Sequence, residues 1–459
     1  MTEQTAAGTA SEQEVKLGFL YLAPGISKLN AYAFFYAAFM VIGLLTFVST
    51  GTAQVLNALG VPLNEQGGVT GNLVIVTEIV QIAIFGVAGV AADRIGRREV
   101  AAVGIAIMGL GYLLYPYAGS VNELLVYRGI YALGLGLSTG MVGTLIADYS
   151  SDQSRGKFVA VGGIFNGLGV ICITVIFGAR AAPMLVEAGF EPLEATRITH
   201  IIVAATCFIS AIVFYLGLKP GTPGTKEERP PVSELISSGF TEAVKNKRIA
   251  LAYACGFVAR SDQVILGTFT VLWGATVGVS QGMDYATAAG KGAIIFAMAG
   301  SASLLWLPIL GALTDKMNRV SSVIISMSIA AVGYGCMYFV DEATMFTESG
   351  FPLSTRTLLL SLLLGVGQIS AFLAATILIS QEAPKLKRGA VVGMFNTSGA
   401  IGIFIAVAIG GQLFDIVGGW GPFMLIAVLN FVVVLMAVVV RIKWPGPPPG
   451  QGGETIVAH

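Results

Sequence analysis

Two stretches of this sequence decide its fold: GVAADRIGRR at Gly89–Arg98 and GALTDKMNR at Gly311–Arg319. Each follows a long apolar run, and each places an aspartate shortly after a glycine, with basic residues close behind. Three later landmarks recur in the same order: Asp148, Arg155-Gly156 and Phe165-Asn166 in one copy, and Glu382, Arg388-Gly389 and Phe395-Asn396 in the other. Landmarks that repeat in register indicate a duplicated unit within one chain.

The sequence around these landmarks is too apolar for a water-soluble protein. Of the 459 residues, 55% are hydrophobic and 11% charged, and the mean hydropathy is +0.80, whereas a soluble domain carries about 25% charged residues. We therefore predict an all-α membrane protein with about twelve transmembrane helices in two pseudo-symmetric six-helix bundles, solvated by the lipid bilayer. The predicted spans are 31–57, 69–92, 100–118, 122–147, 156–179, 200–218, 249–275, 288–313, 320–340, 356–381, 389–413 and 418–440.

The distribution of Lys and Arg predicts the orientation of these spans. Most of the 26 basic residues fall on the side of the termini. The exceptions are Arg128 and Arg260 within spans, and Arg180, Arg197, Lys291 and Arg356 on the opposite side. We therefore expect a multi-pass protein of the inner (plasma) membrane with both termini in the cytoplasm. The predicted segments are a cytoplasmic segment 1–30, a bundle 31–218, a linker with an amphipathic helix 219–248, a bundle 249–441 and a disordered cytoplasmic tail 442–459.

The loop at Gly89–Arg98 resembles the motif G-x-x-x-D-R-x-G-R-R of the major facilitator superfamily (MFS), and Gly311–Arg319 is similar to its degenerate second copy. The resemblance covers nearly the whole chain. It implies the MFS fold, a monomeric protein, and two halves that rock around a central site.

The same resemblance implies a gate on the cytoplasmic side. There Asp93 would cap the N-terminus of a helix of the other half, with span eleven as the candidate, and Arg97 would pair with Asp148 in a contact that breaks when this side opens. The alternative is that these charges only anchor helix ends at the interface. The residues assigned to this gate are Gly89, Asp93, Arg94, Gly96, Arg97, Asp148, Asp315, Arg319, Glu382 and Arg388.

Several classes of function are excluded by what the sequence lacks. The net charge of zero gives no reason to expect a nucleic-acid partner. No P-loop is present, so ATP does not drive the protein directly, and no HExxH or GxSxG motif points to an enzyme. The four cysteines lie in apolar runs without a CxxC pair, so we expect no metal and no cofactor.

Four charged residues stand out well inside the predicted spans, away from their ends, where a charge is costly unless it is paired or solvated. Glu78 could load and release a proton, or form a structural hydrogen bond between helices. Arg128 fits loosely the span-four arginine of proton-coupled family members, or else extends to the outer interface. Arg260 and Asp262 lie two apart on span seven and therefore need different partners. Arg260 could bind a carboxylate, sulfonate or phosphate, and Asp262 a cation or a proton, unless both form structural ion pairs.

These residues lead to a prediction of function. We expect secondary active transport of a small organic solute, with an organic anion favoured, coupled to protons through alternating access. A drug/proton antiporter is one alternative, although span five lacks the Gly-Pro pair usual in that class. A solute receptor that does not transport is another. The candidate substrate-binding residues are Tyr32, Tyr36, Arg260, Asp262, Gln263 and Gln368, and the candidate proton-coupling residues are Glu78, Arg128 and Asp262.

Overall fold

The computed structural model describes residues 15–151, 155–221, 240–314, 317–347, 350–384 and 388–444, without the side chains of 85–87, 89–90, 93, 147, 155–156 and 388–390. Within these ranges twelve helices are long and apolar enough to cross a membrane, which confirms the predicted number. They are α1 (Lys28–Ala58), α2 (Gln66–Ile95), α3 (Arg97–Leu114), α4 (Val121–Tyr149), α5 (Arg155–Ile173), α6 (Pro192–Gly217), α7 (Lys247–Ser280), α8 (Tyr285–Thr314), α9 (Arg319–Gly335), α10 (Thr355–Glu382), α11 (Arg388–Val417) and α12 (Gly421–Lys443).

The twelve helices form two halves, and the bundle has two sides. The first half comprises α1–α6 and the second half α7–α12. An even number of crossings leaves both described ends of the chain on one side, which we call the terminus side, and the opposite side is the far side. The predicted amphipathic helix lies largely outside the described residues, although 240–245 are helical with Phe240 and Val244 exposed. The predicted disordered tail also lies beyond the described residues, except for its first three positions.

The fifth and sixth crossings differ from the predicted spans. After Ile173, α5 continues as a π-helix over Thr174–Ala181 and then as a short helix, Ala182–Glu187, well past the predicted end at 179. α6 begins at Pro192 instead of residue 200. Proline suits the first helical position because its φ is preset and its missing N–H would have no partner there. The polar residues after Pro192 concealed this start from a prediction based on hydropathy.

The segment before α1 contains a feature that the sequence did not predict. Strands Lys16–Leu17 and Leu20–Tyr21 form a small antiparallel hairpin. The hairpin is joined to the end of α4, because Ala23 N–H donates to the carbonyl of Tyr149 at 3.0 Å and Ser151 N–H donates to the carbonyl of Tyr21 at 3.2 Å. The hairpin and Ala23 are therefore fastened to the terminus-side end of the first half.

The two halves share a packed interface on the far side. Ala53 and Val74 of the first half belong to the same buried apolar cluster as Phe269 and Val407 of the second half. The helices that meet there approach closely, and a Cβ added at Gly71 of α2 would lie 3.2 Å from the carbonyl oxygen of Val407 on α11. The π-helix and α8 meet in the same way at Gly178–Ala293 and Ala179–Gly290. Glycine allows this approach because it has no side chain to separate the backbones.

Toward the terminus side, the same helices expose large apolar side chains. Ile82 of α2 is 59% exposed, Leu305 of α8 73% and Phe404 of α11 43%. The contacts between halves named above all lie between the middle of the bundle and the far side. Among the described residues, the structure is therefore closed at the far side and open at the terminus side.

Candidate substrate site and gates

A cavity of about 290 Å³ lies between α7, α10 and α11 in the second half. It runs from Arg260, about 20 Å along α7 from its terminus-side end, to Ser380 near the end of α10. Arg260 is the one charged residue among those that line it. The lining residues are Ala259, Arg260, Phe372, Ala375, Thr376, Ile379, Ser380, Val392, Phe395 and Asn396.

The guanidinium of Arg260 has no close counter-charge within the described residues. Its stem packs against Gly399 of α11, in the space that a side chain at that position would fill. No carboxylate of the described part of the chain forms a salt bridge with it. A partly buried guanidinium without an ion-pair partner can bind an anionic group by donating two parallel N–H bonds to it.

Glu78, in the first half, is the carboxyl group that interacts electrostatically with Arg260. The charges of Arg260 and Glu78 act on each other, and the charge of Arg128 also acts on Glu78. Glu78 therefore lies in the field of two arginines, one from each half, without a direct ion pair to either in the described structure. These three predicted residues form one electrostatic group.

Arg128 lies inside the first half and is only 5% exposed, so it does not extend to the outer interface. Its Nε donates to Oγ1 of Thr77 at 2.7 Å, and Thr77 is the neighbour of Glu78. Weaker bonds of 3.5 Å reach the hydroxyls of Thr52 and Tyr115, and the guanidinium lies 5.1 Å from the ring of Tyr131. This network fixes Arg128 beside Thr77, the neighbour of Glu78 in the chain.

Asp262 is placed away from this group. It is fully buried, and neither carboxylate oxygen has a hydrogen-bond partner among the described residues. Its backbone carbonyl accepts a 2.6 Å bond from the hydroxyl of Tyr334 on α9, at the back of α7. As the two-residue spacing implied, Arg260 and Asp262 have different surroundings, and only Arg260 lines the cavity.

The remaining candidates are scattered. The hydroxyl of Tyr36 lies 3.0 Å from Oγ of Ser210, which places it between α1 and α6. Tyr32 is 59% exposed near the start of α1. Gln263 is exposed, and Gln368 is buried. None of the four is among the residues that line the cavity beside Arg260, so their role in binding remains a prediction.

At the predicted gate, Arg97 and Asp148 form an ion pair. Both belong to the first half, and the pair is present while the terminus side is open. The expectation that opening must break it is therefore wrong, because the two partners move together. Gly96 has φ +111°, a backbone conformation that favours glycine. Arg94 is exposed.

The second half has a matching cluster around Glu382. Its carboxylate accepts from Nε of Arg248 at 2.9 Å and from Nδ2 of Asn246 at 3.2 Å, and Arg319 lies 3.5 Å away. The cluster joins α7, α9 and α10 within one half. Arg248 and Asn246 were not predicted, because nothing in the sequence relates them to α10. The side chains of Asp93 and Arg388, and the whole of Asp315, lie outside the described structure, and Gly89 is described only as part of α2.

The comparisons with known proteins agree with this architecture. The model of the Major Facilitator Superfamily matches residues 31–406 and 293–456. The magnetosome protein MamH of Paramagnetospirillum magneticum is 28% identical over 82% of this chain and 84% of its own length. The magnetosome protein MamZ of the same organism is 26% identical over 82% of this chain, which spans only 57% of MamZ.

Solved transporters share the fold. The nucleoside transporter NupG superposes with a TM-score of 0.69 at 14% identity, over 91% of this chain and all of its own. The xylose transporter XylE from E. coli superposes with a TM-score of 0.64 at 16% identity, over 92% of this chain and 97% of its own. The chain therefore belongs to the Major Facilitator Superfamily, and it is a membrane transporter of a solute and not an enzyme.

Proposed function

We propose that this transporter carries a small organic anion with an apolar body, together with a proton, through alternating access. The observation that carries the proposal is the position of Arg260, the one charged residue lining an otherwise largely apolar cavity near the middle of the bundle. Fixed polar groups in a hydrophobic pocket orient a ligand and set its specificity. A lone guanidinium selects a carboxylate, sulfonate or phosphate.

The remaining lining supports an apolar ligand body. The rings of Phe372 and Phe395 and the side chains of Ile379 and Val392 offer hydrocarbon surface. A volume of about 290 Å³ is at the lower end of the range for ligand pockets. A monocarboxylate with a branched or aromatic body suits this lining better than a sugar acid or a dicarboxylate, whose further polar groups would face apolar side chains.

Glu78 supports coupling to protons. When charged, its carboxylate partly neutralises Arg260 from the other half, so it competes with a substrate anion. A proton taken up by Glu78 removes that competitor, and Arg260 becomes available to the anion. One monoanion and one proton would then cross together without net charge.

The orientation completes the proposal. The excess of basic residues on the terminus side supports a cytoplasmic location for that side, with the protein in the inner membrane of the cell. The open cavity then faces the cytoplasm, and the closed far side faces outward. Rocking of the two halves would expose Arg260 to each side in turn.

The proposal is tested by ligand binding to purified protein, measured as thermal stabilisation and by equilibrium titration. Phenylacetate, isovalerate, succinate, gluconate and a lipophilic cation form the panel. We expect the first two to raise the melting temperature of the wild type. Arg260→Ala should weaken their binding about 10- to 100-fold, as expected when a hydrogen-bonded charge loses its partner.

Arg356→Ala is the matched control, because Arg356 is a far-side residue outside this cavity. It should leave binding unchanged. Stabilisation by the cation that survives Arg260→Ala would refute the anion proposal and favour drug efflux. Anion binding without exchange in liposomes would indicate a receptor.

A further inference from the structure

Asp415, near the far-side end of α11, contacts the start of α2 in the opposite half. Its Oδ1 accepts from the backbone N–H of Gly67 at 2.8 Å, and its Oδ2 accepts from the N–H of Gly68 at 2.6 Å. α2 begins at Gln66, so these are two of the N–H groups that have no partner within the helix. A carboxylate at a helix N-terminus also gains from the helix dipole.

The helices around this contact fit closely. A Cβ added at Gly67 would lie 2.5 Å from Oδ1 of Asp415 and 2.6 Å from the carbonyl oxygen of Gly411, and one at Gly411 would lie 2.7 Å from the carbonyl oxygen of Gly67. Gly71, one turn further along α2, packs against Val407. The carboxylate therefore forms its bonds only while these backbones touch, and a small separation of the halves breaks both bonds.

We propose that Asp415 and the N–H groups of Gly67 and Gly68 form a far-side latch that holds the transporter in its terminus-side-open state. The latch is one of the contacts between halves that would have to open before substrate could enter or leave at the far side. Asp415 does not touch the cavity of Arg260, so it acts on access to the site and not on the ligand.

This latch gives α2 and α11 two alternative positions. The predicted gate would use Asp93, at the other end of α2, to cap α11 on the terminus side. The structure has the converse contact, in which an aspartate of α11 caps α2 on the far side. Because each contact requires its own side to be closed, breaking the far-side latch should shift the population toward the far-side-open state.

The test uses cysteine accessibility in a background in which Cys172, Cys207, Cys255 and Cys336 are replaced by serine. One reporter is Val407→Cys, at a fully buried position in the packed interface between the halves on the far side. The other is Val392→Cys, on the lining of the cavity that contains Arg260. Labelling by a polar maleimide is followed in nanodiscs. With Asp415→Asn, we expect labelling at position 407 to rise at least tenfold and labelling at 392 to fall.

The opposite changes at the two reporters separate a latch from a merely structural role, because general loosening would raise both rates. Asp284→Asn is the matched control, since Asp284 accepts from the N–H of Thr287 at 2.9 Å within its own half. It should leave both rates at their wild-type values. Equal labelling of Asp415→Asn and wild type at position 407, or a rise at both positions, would overturn the proposal.

A second variant tests the latch without removing the carboxylate. Gly67→Ala forces a methyl group into the contact with Asp415 and Gly411 and should also expose position 407. Gly143→Ala on α4 is its control, because a Cβ there would meet nothing within 4 Å. The result depends only on which side is open, so it stands or falls independently of the identity of the substrate.

Discussion

Replacing Glu382 by alanine should destabilise the second half more than any substitution of an exposed charge. The carboxylate is 5% exposed and is the shared partner of Arg248 and Arg319, whose side chains are 21% and 22% exposed. Asn246 adds a further hydrogen bond at 3.2 Å. Removal of Glu382 leaves two partly buried guanidinium groups close together without the negative charge that holds them.

The magnitude follows from burial. Breaking a buried ion pair by removing one partner costs about 3–5 kcal/mol. Because both arginines keep about a fifth of their side-chain surface exposed, water recovers part of this loss. We therefore expect the free energy of unfolding to fall by about 2–3 kcal/mol, a value between those for an exposed ion pair and a fully buried one.

The assay is equilibrium unfolding in mixed micelles, with Lys245→Ala as the control. Lys245 is 65% exposed in its 3.9 Å pair with Glu242, so its loss should change stability very little. A double-mutant cycle with Arg248→Ala should give a clear coupling energy. The reasoning fails if Glu382→Ala is no more destabilising than Lys245→Ala. It also fails if the effects of Glu382→Ala and Arg248→Ala are simply additive in the double mutant.

Two further predictions concern packing and proton coupling. Gly365→Ala places a methyl group against the backbone carbonyl of Ala299, a group that cannot move aside. It should lower the free energy of unfolding by about 1–3 kcal/mol, as measured by thermal unfolding. Gly393→Ala is the control and should leave stability unchanged, because nothing lies within 4 Å of its Cβ. If Glu78 competes with the substrate anion, wild-type affinity should fall as the pH rises and Glu78 loses its proton; Glu78→Gln should bind the anion equally well across the same pH range, and a retained pH dependence would remove Glu78 from the coupling proposal.

Much of the fold followed from local sequence. Apolar runs of membrane length predicted the twelve crossings, because lipid leaves a spanning chain little choice beyond helices. The repeated landmarks led to the prediction that Arg97 pairs with Asp148, which the structure contains. Arg319 and Glu382 occupy the equivalent places in the second repeat, but the sequence analysis did not pair them. What the sequence did not reveal was that Arg248 and Asn246 also contact Glu382.

The site was less predictable because it depends on which face of each helix meets another. Spacing predicted that Arg260 and Asp262 would differ, but it did not tell which of them lines the cavity. Phe372 and Thr376 look like ordinary residues of membrane helices until α10 is placed beside Arg260. Asp415 was overlooked because it follows the predicted end of its span, and its partners are backbone groups of a helix about 350 residues earlier.

The π-helix Thr174–Ala181 has a consequence for insertions and deletions in this chain. Each residue advances an α-helix by about 100°, so wider turns change the phase between the two ends of a crossing. Before the π-helix, Gly169 of α5 packs against Phe39 of α1; within it, Gly178 and Ala179 meet α8. Deleting one residue between them would turn one of these two surfaces toward lipid. The fifth crossing should therefore tolerate changes in length poorly. The angle between the surface that packs on α1 and the surface that packs on α8 depends on the number of residues between them.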